Sequence, residues 1–169
     1  MVRKLTALFS NVNSDWEDGD NYGHSPGRLI YNGKSKTVDE CFNYCSSFCD
    51  EIGELVGTPV NCHYVSLWLD RDGYELRQHY DLGDVTFGLQ IYLEGPNFDP
   101  SLGLGFYKPA DYDNQGRLII DRNHEQPIVQ LGYRHNCGYL ADTSYTVCHG
   151  LPKPVTGSSE RWSIYVRYF

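Results

Sequence analysis

After Pro59 the apolar residues follow a two-residue period, and this alternation constrains the fold more than any other feature. Successive side chains of a strand point to opposite faces of a sheet, so the alternation predicts half-buried β-strands. The predicted strands span residues 64–69, 74–81, 85–93, 117–120, 128–131, 144–149 and 162–169, with shorter pieces near Phe106 and Tyr139. A run of about eight short strands separated by turn residues predicts a mostly β fold, a double-sheet jelly roll or barrel.

One main helix is predicted before this region, over residues 36–57. Thr37 and Glu40 have the spacing of a capping box at its start. The apolar side chains that recur every three or four residues form a single stripe: Val38, Cys41, Cys45, Cys49 and Ile52. The cysteines of this stripe lack the paired spacing of a metal site, so we expect them to pack in the core.

The chain has 169 residues, enough for one domain with a sizeable core. Residues 1–35 are rich in Gly, Asn, Asp and Ser, and they are predicted to be irregular apart from a short strand at residues 28–31. No repeat or linker divides the chain. The predicted organisation is therefore one domain, 1–169, with an irregular segment (1–35), a helix (36–57) and a β core (60–169).

The formal net charge of −8 argues against nucleic acid as a partner, because phosphate binding requires many Lys and Arg contacts. The first apolar run is too short for a signal peptide, and no run approaches the roughly 18 residues of a membrane span. These features predict a cytoplasmic protein without a membrane partner. In that compartment the six cysteines are expected to be reduced, buried thiols.

His79 and Asp81 are two residues apart in a predicted strand, so their side chains share one face. An imidazole and a carboxylate in this arrangement bind one metal ion, pair with each other, or simply face water. His79 and Asp81 alone do not decide among these alternatives.

The C-terminal region carries matching polar groups. His149 ends a predicted strand, and Arg161 and Ser163 share a face of the last strand, while Trp162, Ile164 and Val166 point the other way, into the space between the sheets. Two imidazoles and a carboxylate suit one face of an Fe(II) octahedron. An arginine with a nearby hydroxyl suits a second carboxylate, that of a ligand. These residues together outline a metal site for a small dicarboxylate.

Residues 64–169 resemble the Fe(II)- and 2-oxoglutarate-dependent dioxygenases, particularly the prolyl-hydroxylase-like branch. The parts occur in the family's order: Gly73-Tyr74, the HYD of residues 79–81, Tyr92-Leu93, LGLGFY at 102–107, the CHG of residues 148–150 and the terminal RWSIYVRYF. The resemblance implies a double-stranded β-helix, that is, a jelly roll, with the main helix packed outside it.

The resemblance also implies roles for individual residues. His79, Asp81 and His149 match the metal ligands. Arg161, Ser163 and Tyr92 match contacts to the distal carboxylate of 2-oxoglutarate, and Trp68 loosely matches a further cosubstrate contact.

The implied cofactors are Fe(II), 2-oxoglutarate and O2, with ascorbate as a reductant. The implied reaction is hydroxylation of an unactivated C–H bond, with release of succinate and CO2. A peptide or protein side chain is the first expected substrate, and a free amino acid or small metabolite is the alternative. A non-catalytic jelly-roll binding module and a cupin-like metalloenzyme are alternatives of other classes.

Overall fold

The computed structural model describes residues 1–19, 26–79, 87–108, 111–112, 118–119, 126–142 and 147–169. The helices are α1 (Val2–Phe9), α2 (Lys36–Ser46) and α3 (Cys49–Val56). The strands are β1 (Trp16–Asp18), β2 (Arg28–Tyr31), β3 (Cys62–Asp70), β4 (Phe87–Leu93), β5 (Gly105–Tyr107), β6 (Asp111–Tyr112), β7 (Leu118–Ile119), β8 (Val129–Gln130), β9 (Gly138–Asp142), β10 (Cys148–Gly150) and β11 (Arg161–Tyr168). The predicted mostly β class is thus confirmed.

A six-stranded sheet, in the order β1-β2-β3-β11-β4-β9, forms the centre of the fold, and every neighbouring pair in it is antiparallel. A smaller sheet has the order β10-β5-β8, and β6 pairs with β7. Within the described residues the architecture is thus two main antiparallel sheets with three helices, which is jelly-roll-like. Strand β11, the last in sequence, lies between β3 and β4, so the end of the chain occupies the middle of the central sheet.

The central sheet has one apolar and one polar face. Its apolar face includes Trp162, Ile164 and Val166 of β11, which pack in one core cluster with Phe9 of α1 and Cys45 of α2. The expectation that these three β11 residues face the space between the sheets is therefore wrong. They face the helices because the intervening positions carry polar side chains that line the other side of the sheet.

The predicted helix over residues 36–57 is interrupted at residues 47–48 and forms two helices, α2 and α3. The Ser35 hydroxyl, rather than Thr37, caps α2, and it accepts a hydrogen bond from the Thr37 N–H at 3.2 Å. Gly57 ends α3 in the left-handed region (φ 78°), which a glycine adopts without steric cost. The predicted apolar stripe is confirmed, because all its members lie in or against the helix-facing core.

The first 35 residues, expected to be irregular, contribute α1, β1 and β2 to the fold. Strand β2 was predicted over these same residues, and it extends the central sheet by pairing with β3. Phe9 of α1 stacks on Trp162, with ring centroids 5.0 Å apart. The N-terminal segment is therefore part of the main core. Its strand β2 also places the Arg28 side chain on the polar face of the sheet, opposite Asp70 of β3.

The predicted strand 74–81 is represented among the described residues only by an isolated bridge at His79. Asp81 lies outside the described residues, as do residues 117 and 120 of the predicted strand 117–120, whose two middle residues form β7. All six cysteines are free; Cys137 is exposed, so its expected burial is wrong. No helix in the described parts of the chain has the length and apolarity needed to cross a membrane.

The buried Tyr133 hydroxyl joins two strands of the central sheet. It accepts a hydrogen bond from the Trp162 N–H at 2.7 Å and donates one to the Leu93 carbonyl. Burial raises the pKa of Tyr133 well above its ordinary value, so the phenol keeps its proton. We expect Tyr133→Phe to lower the free energy of unfolding by about 1–3 kcal/mol, because it leaves buried backbone groups without a partner.

Urea denaturation measures this loss. Tyr44→Phe is the matched control, because Tyr44 lies half-exposed on α2. An equal, small effect of the two substitutions would contradict a role of the Tyr133 hydroxyl in holding β4 and β11 together.

Candidate functional site

His79 and His149 lie side by side and exchange two backbone hydrogen bonds. The His79 N–H donates to the His149 carbonyl at 2.9 Å, and the His149 N–H donates to the His79 carbonyl at 2.8 Å. Their imidazole centroids are 4.4 Å apart. Two histidines seventy residues apart in sequence are thus brought together as a directly paired couple, so both rings are within reach of one small ligand or ion.

Each imidazole is oriented by a carbonyl two residues before it in the chain. His79 Nδ1 lies 2.9 Å from the Arg77 carbonyl, and His149 Nδ1 lies 3.2 Å from the Val147 carbonyl. A carbonyl only accepts, so Nδ1 carries the proton in each bond, and in the neutral ring Nε2 then holds the lone pair. Metal-binding histidines are commonly oriented in this way.

This donor set suits a divalent transition metal. The two imidazoles supply nitrogen ligands, and Asp81, two residues after His79, would supply a carboxylate; such a set suits Fe(II). Among the described residues alone, which exclude Asp81, no cluster of three or more His, Cys, Asp or Glu could hold a metal ion. The assignment of Asp81 as a ligand therefore stays a prediction.

A second polar cluster is fully buried at one end of the central sheet. Asp70 of β3 accepts from Arg28 of β2 at 2.6 Å (Nε to Oδ1) and 3.0 Å (Nη2 to Oδ2). Its Oδ2 also accepts from Arg161 Nη1 of β11 at 2.6 Å. The three residues are register partners on adjacent strands. Two guanidinium groups thus share one carboxylate, so this triad carries an excess positive charge.

Arg161 makes further contacts within this cluster. Its Nη2 donates to Gln90 Oε1 at 3.1 Å and to the Tyr92 hydroxyl at 3.2 Å. Burial acts to lower the pKa of Arg161, but the neighbouring Tyr92 and Asp70 raise it above its ordinary value. Arg161 therefore stays charged in a fully buried position, and it does not pair with the adjacent Glu160.

Ser163 is also buried on this face, and its hydroxyl accepts a hydrogen bond from Gln90 Nε2 at 2.9 Å. Gln90 in turn accepts from the Tyr139 hydroxyl at 2.6 Å. Trp68 stacks on Tyr165, with ring centroids 4.2 Å apart. The structure thus brings the predicted residues Arg161, Ser163, Tyr92 and Trp68 onto one face of the central sheet.

A cavity of about 120 Å³ connects the histidine pair with this polar face. Its lining includes both histidines together with Arg28, Trp68 and Gln90. The volume suits a small organic acid rather than a drug-sized ligand. A larger groove of about 460 Å³ is lined by Gln78 and contains neither histidine.

Sequence reasoning did not find Arg28, Asp70, Gln90 or Tyr139. A signal for the first two was present, because each is a charged residue at one end of an apolar strand, in RLIY and SLWLD. Their pairing depends on β2 and β3 lying side by side with Arg28 opposite Asp70. That register is a property of the folded sheet.

Removing the shared carboxylate should destabilise the fold. We expect Asp70→Asn to lower the free energy of unfolding by about 3–5 kcal/mol, because two buried guanidinium groups would lose their counter-ion. Urea denaturation would measure the loss, with Glu54→Gln on the exposed side of α3 as the charge-matched control. A loss no larger than that of the control would show that Asp70 does not hold the cluster together.

No protein-family model matches the chain, and no curated protein matches it in sequence. Solved structures are similar in fold. HygX from Streptomyces hygroscopicus, with nickel, 2-oxoglutarate and hygromycin B bound, has a TM-score of 0.65 at 12% identity, covering 99% of this chain and 77% of HygX. A Pseudomonas putida prolyl-4-hydroxylase has a TM-score of 0.61 at 15% identity, covering 99% of this chain and 84% of the hydroxylase.

The epimerase SnoN, in complex with Fe3+, alpha-ketoglutarate and nogalamycin RO, has a TM-score of 0.59 at 12% identity, covering 99% of this chain and 72% of SnoN. At these identities the similarity is one of fold. The fold of this chain is thus similar to that of HygX, the prolyl-4-hydroxylase and SnoN.

Proposed function

We propose that this protein is an Fe(II)- and 2-oxoglutarate-dependent dioxygenase that hydroxylates an unactivated C–H bond, with release of succinate and CO2. The observation that carries the proposal is one cavity whose lining combines two kinds of group. The oriented pair His79 and His149 lines it, and so does Arg28, a member of the buried cluster with excess positive charge. 2-Oxoglutarate has chemical groups that match both. Its keto group and the adjacent carboxylate would bind a metal held by the histidines, and its distal carboxylate would bind the positively charged cluster.

His79, His149 and Asp81 would hold the metal. When bound, Fe(II) with 2-oxoglutarate and O2 would supply the oxidising power that protein side chains lack. The carbonyls of Arg77 and Val147 would keep both imidazoles in the tautomer that binds a metal through Nε2. The protein's contribution at the histidines would be the orientation of both imidazoles.

The distal carboxylate of 2-oxoglutarate would meet the positive cluster around Arg161. The Tyr92 hydroxyl already accepts hydrogen bonds from Arg161 and from the Leu104 N–H, at 3.2 and 3.3 Å, so its own proton remains to be donated. Ser163 would act through Gln90, which joins its hydroxyl to Arg161. Trp68 would form part of the aromatic wall of the cavity.

The two antiparallel sheets would then be the walls of a double-stranded β-helix, with the cosubstrate between them. The polar face of β11 and the paired His79 and His149 support this arrangement. They come from different sheet regions, yet they line one cavity.

For the primary substrate we propose a peptide or protein side chain, as in the prolyl hydroxylase that shares the fold. A small molecule is the second candidate, and the observation that favours it is the fold similarity to HygX and SnoN, whose structures contain hygromycin B and nogalamycin RO. The net charge of −8 disfavours nucleic acid.

The first test is an anaerobic titration of the protein with Fe(II) and 2-oxoglutarate. We expect a visible charge-transfer band that saturates at one equivalent, because the keto acid would chelate iron held by the histidines. His79→Ala and His149→Ala should abolish the band. His63→Ala, which removes an exposed histidine next to Phe169, should retain it.

The absence of a band in folded, iron-replete protein would overturn the proposal and favour a non-catalytic binding module. Circular dichroism of each variant would separate a lost ligand from a lost fold.

The choice between substrate classes can be measured through turnover of 2-oxoglutarate. We expect succinate formation to rise above its uncoupled level when the true substrate class is added, because substrate binding promotes productive turnover. Proline-containing peptides form one arm of the screen, and free amino acids and aminoglycoside-like molecules form the other. Stimulation only by the small molecules would contradict the peptide proposal while leaving the oxygenase proposal intact.

A further inference from the structure

Arg28, on the N-terminal strand β2, belongs to the cavity as well as to the buried cluster. It is 2% exposed, and it lines the same cavity as His79 and His149. The described residues that line this cavity include Arg28 but not Arg161. Of the two guanidinium groups that share Asp70, the one that lines the cavity is therefore Arg28, which precedes the motifs of residues 64–169; Arg167 of β11 also lines the cavity.

The hydrogen bonds of Arg28 leave one edge of its guanidinium group open. The contact with Asp70 uses the edge formed by Nε and Nη2. Nη1 makes no hydrogen bond with any of the described residues, so the edge formed by Nη1 and Nη2 is available for a second carboxylate. In Arg161, by contrast, Nη1 and Nη2 are both engaged, and only the buried Nε lacks a partner.

Aromatic rings hold the Arg28 guanidinium in place. Its central carbon lies 4.0 Å from the ring centroid of Trp68 and 4.3 Å from that of Tyr74. Burial acts to lower the pKa of Arg28, but Asp70 and Tyr74 together raise it above its ordinary value. The side chain is thus a charged fork whose plane and position are set before any ligand binds, which reduces the entropic cost of binding.

The charges of the cluster also favour an anion. Arg28 and Arg161 carry two positive charges and Asp70 carries one negative charge, so among the described residues of this cluster one buried positive charge is uncompensated. A single carboxylate from a ligand would neutralise it. Buried charges that lack a partner are costly, so this excess charge favours binding of an acid at this end of the cavity.

We propose that Arg28 binds the distal carboxylate of 2-oxoglutarate directly, through the edge of its guanidinium that Asp70 leaves open, and that Asp70 couples it to Arg161. The inference rests on the proposed function, since it names a further residue of the same cosubstrate site. The proposal gives strand β2, which carries Arg28, a role in cosubstrate selection.

The test compares two ligands that differ only at the distal group. These are 2-oxoglutarate and 2-oxopentanoate, in which a methyl group replaces the distal carboxylate. Dissociation constants are measured anaerobically with Fe(II), by the charge-transfer band and by calorimetry. The ratio of the dissociation constant of 2-oxopentanoate to that of 2-oxoglutarate reports recognition of the distal carboxylate. A general loss of structure would weaken the binding of both ligands alike and would leave this ratio unchanged.

We expect Arg28→Gln to reduce this ratio by about 10- to 100-fold, because a charge-assisted, two-pronged contact is lost, while 2-oxopentanoate binds as before. Arg28→Lys keeps the charge but not the fork, and it should reduce the ratio about threefold or more. Arg71→Gln is the matched control, since Arg71 is exposed and adjacent to Asp70 in sequence, and it should leave the ratio unchanged.

A ratio unchanged in both Arg28 variants, or an equal weakening of both ligands, would overturn the inference while the proposed function stands. Failure of the unmodified protein to bind either keto acid would remove the proposed function as well, so the two failures are distinguishable. If Arg28→Gln does not fold, Arg28→Lys alone decides, because it preserves the ion pair with Asp70.

Discussion

The shared carboxylate of Asp70 is the interaction on which the polar half of this structure depends. Two guanidinium groups are buried within a few ångströms of each other, an arrangement that electrostatic repulsion and desolvation would otherwise oppose. Asp70 offsets this cost because its carboxylate accepts hydrogen bonds from both guanidinium groups. It also ties β2, β3 and β11 together across one row of the sheet. Structural integrity and the positive charge of the cavity thus have the same origin.

The rest of the fold follows from the difference between the two faces of the central sheet. The apolar face packs under the helices, so stability comes mainly from contacts such as that of Phe9 with Trp162. The opposite face of the sheet does not pack against the helices, and it carries the buried polar residues Arg161, Ser163 and Gln90. This division between the two faces allows a buried polar site without loss of the hydrophobic core. Buried polar residues, which are unusual in a core strand, therefore concentrate on the face of the central sheet opposite the helices.

The histidine pair is positioned by main-chain contacts. The bridge between His79 and His149 fixes the two backbones, and a carbonyl two residues upstream orients each ring. These contacts involve none of Arg28, Asp70 and Arg161, so the histidine pair and the arginine cluster are held by different interactions. Both groups contribute side chains to the lining of one cavity.

The sequence by itself determined the mostly β class of fold and supplied the candidate residues of the site. Period-two alternation requires sheets, and polar residues at alternate positions of β11 require one sheet face that is not a core face. The order of the motifs around His79, His149 and Arg161 indicated the family of folds. The alternation in β11 shows which side chains face a core, but it does not show whether the helices or a second sheet cover that face; the packing of α1 and α2 decides this.

Tertiary structure alone decided that Arg28 lies in the cavity. Its pairing with Asp70 joins residues 42 positions apart and depends on strand register, a property of the whole sheet. Local patterns carry no information on such long-range pairings. The sequence therefore specified which chemical groups were available, and the arrangement of the strands specified which of them meet.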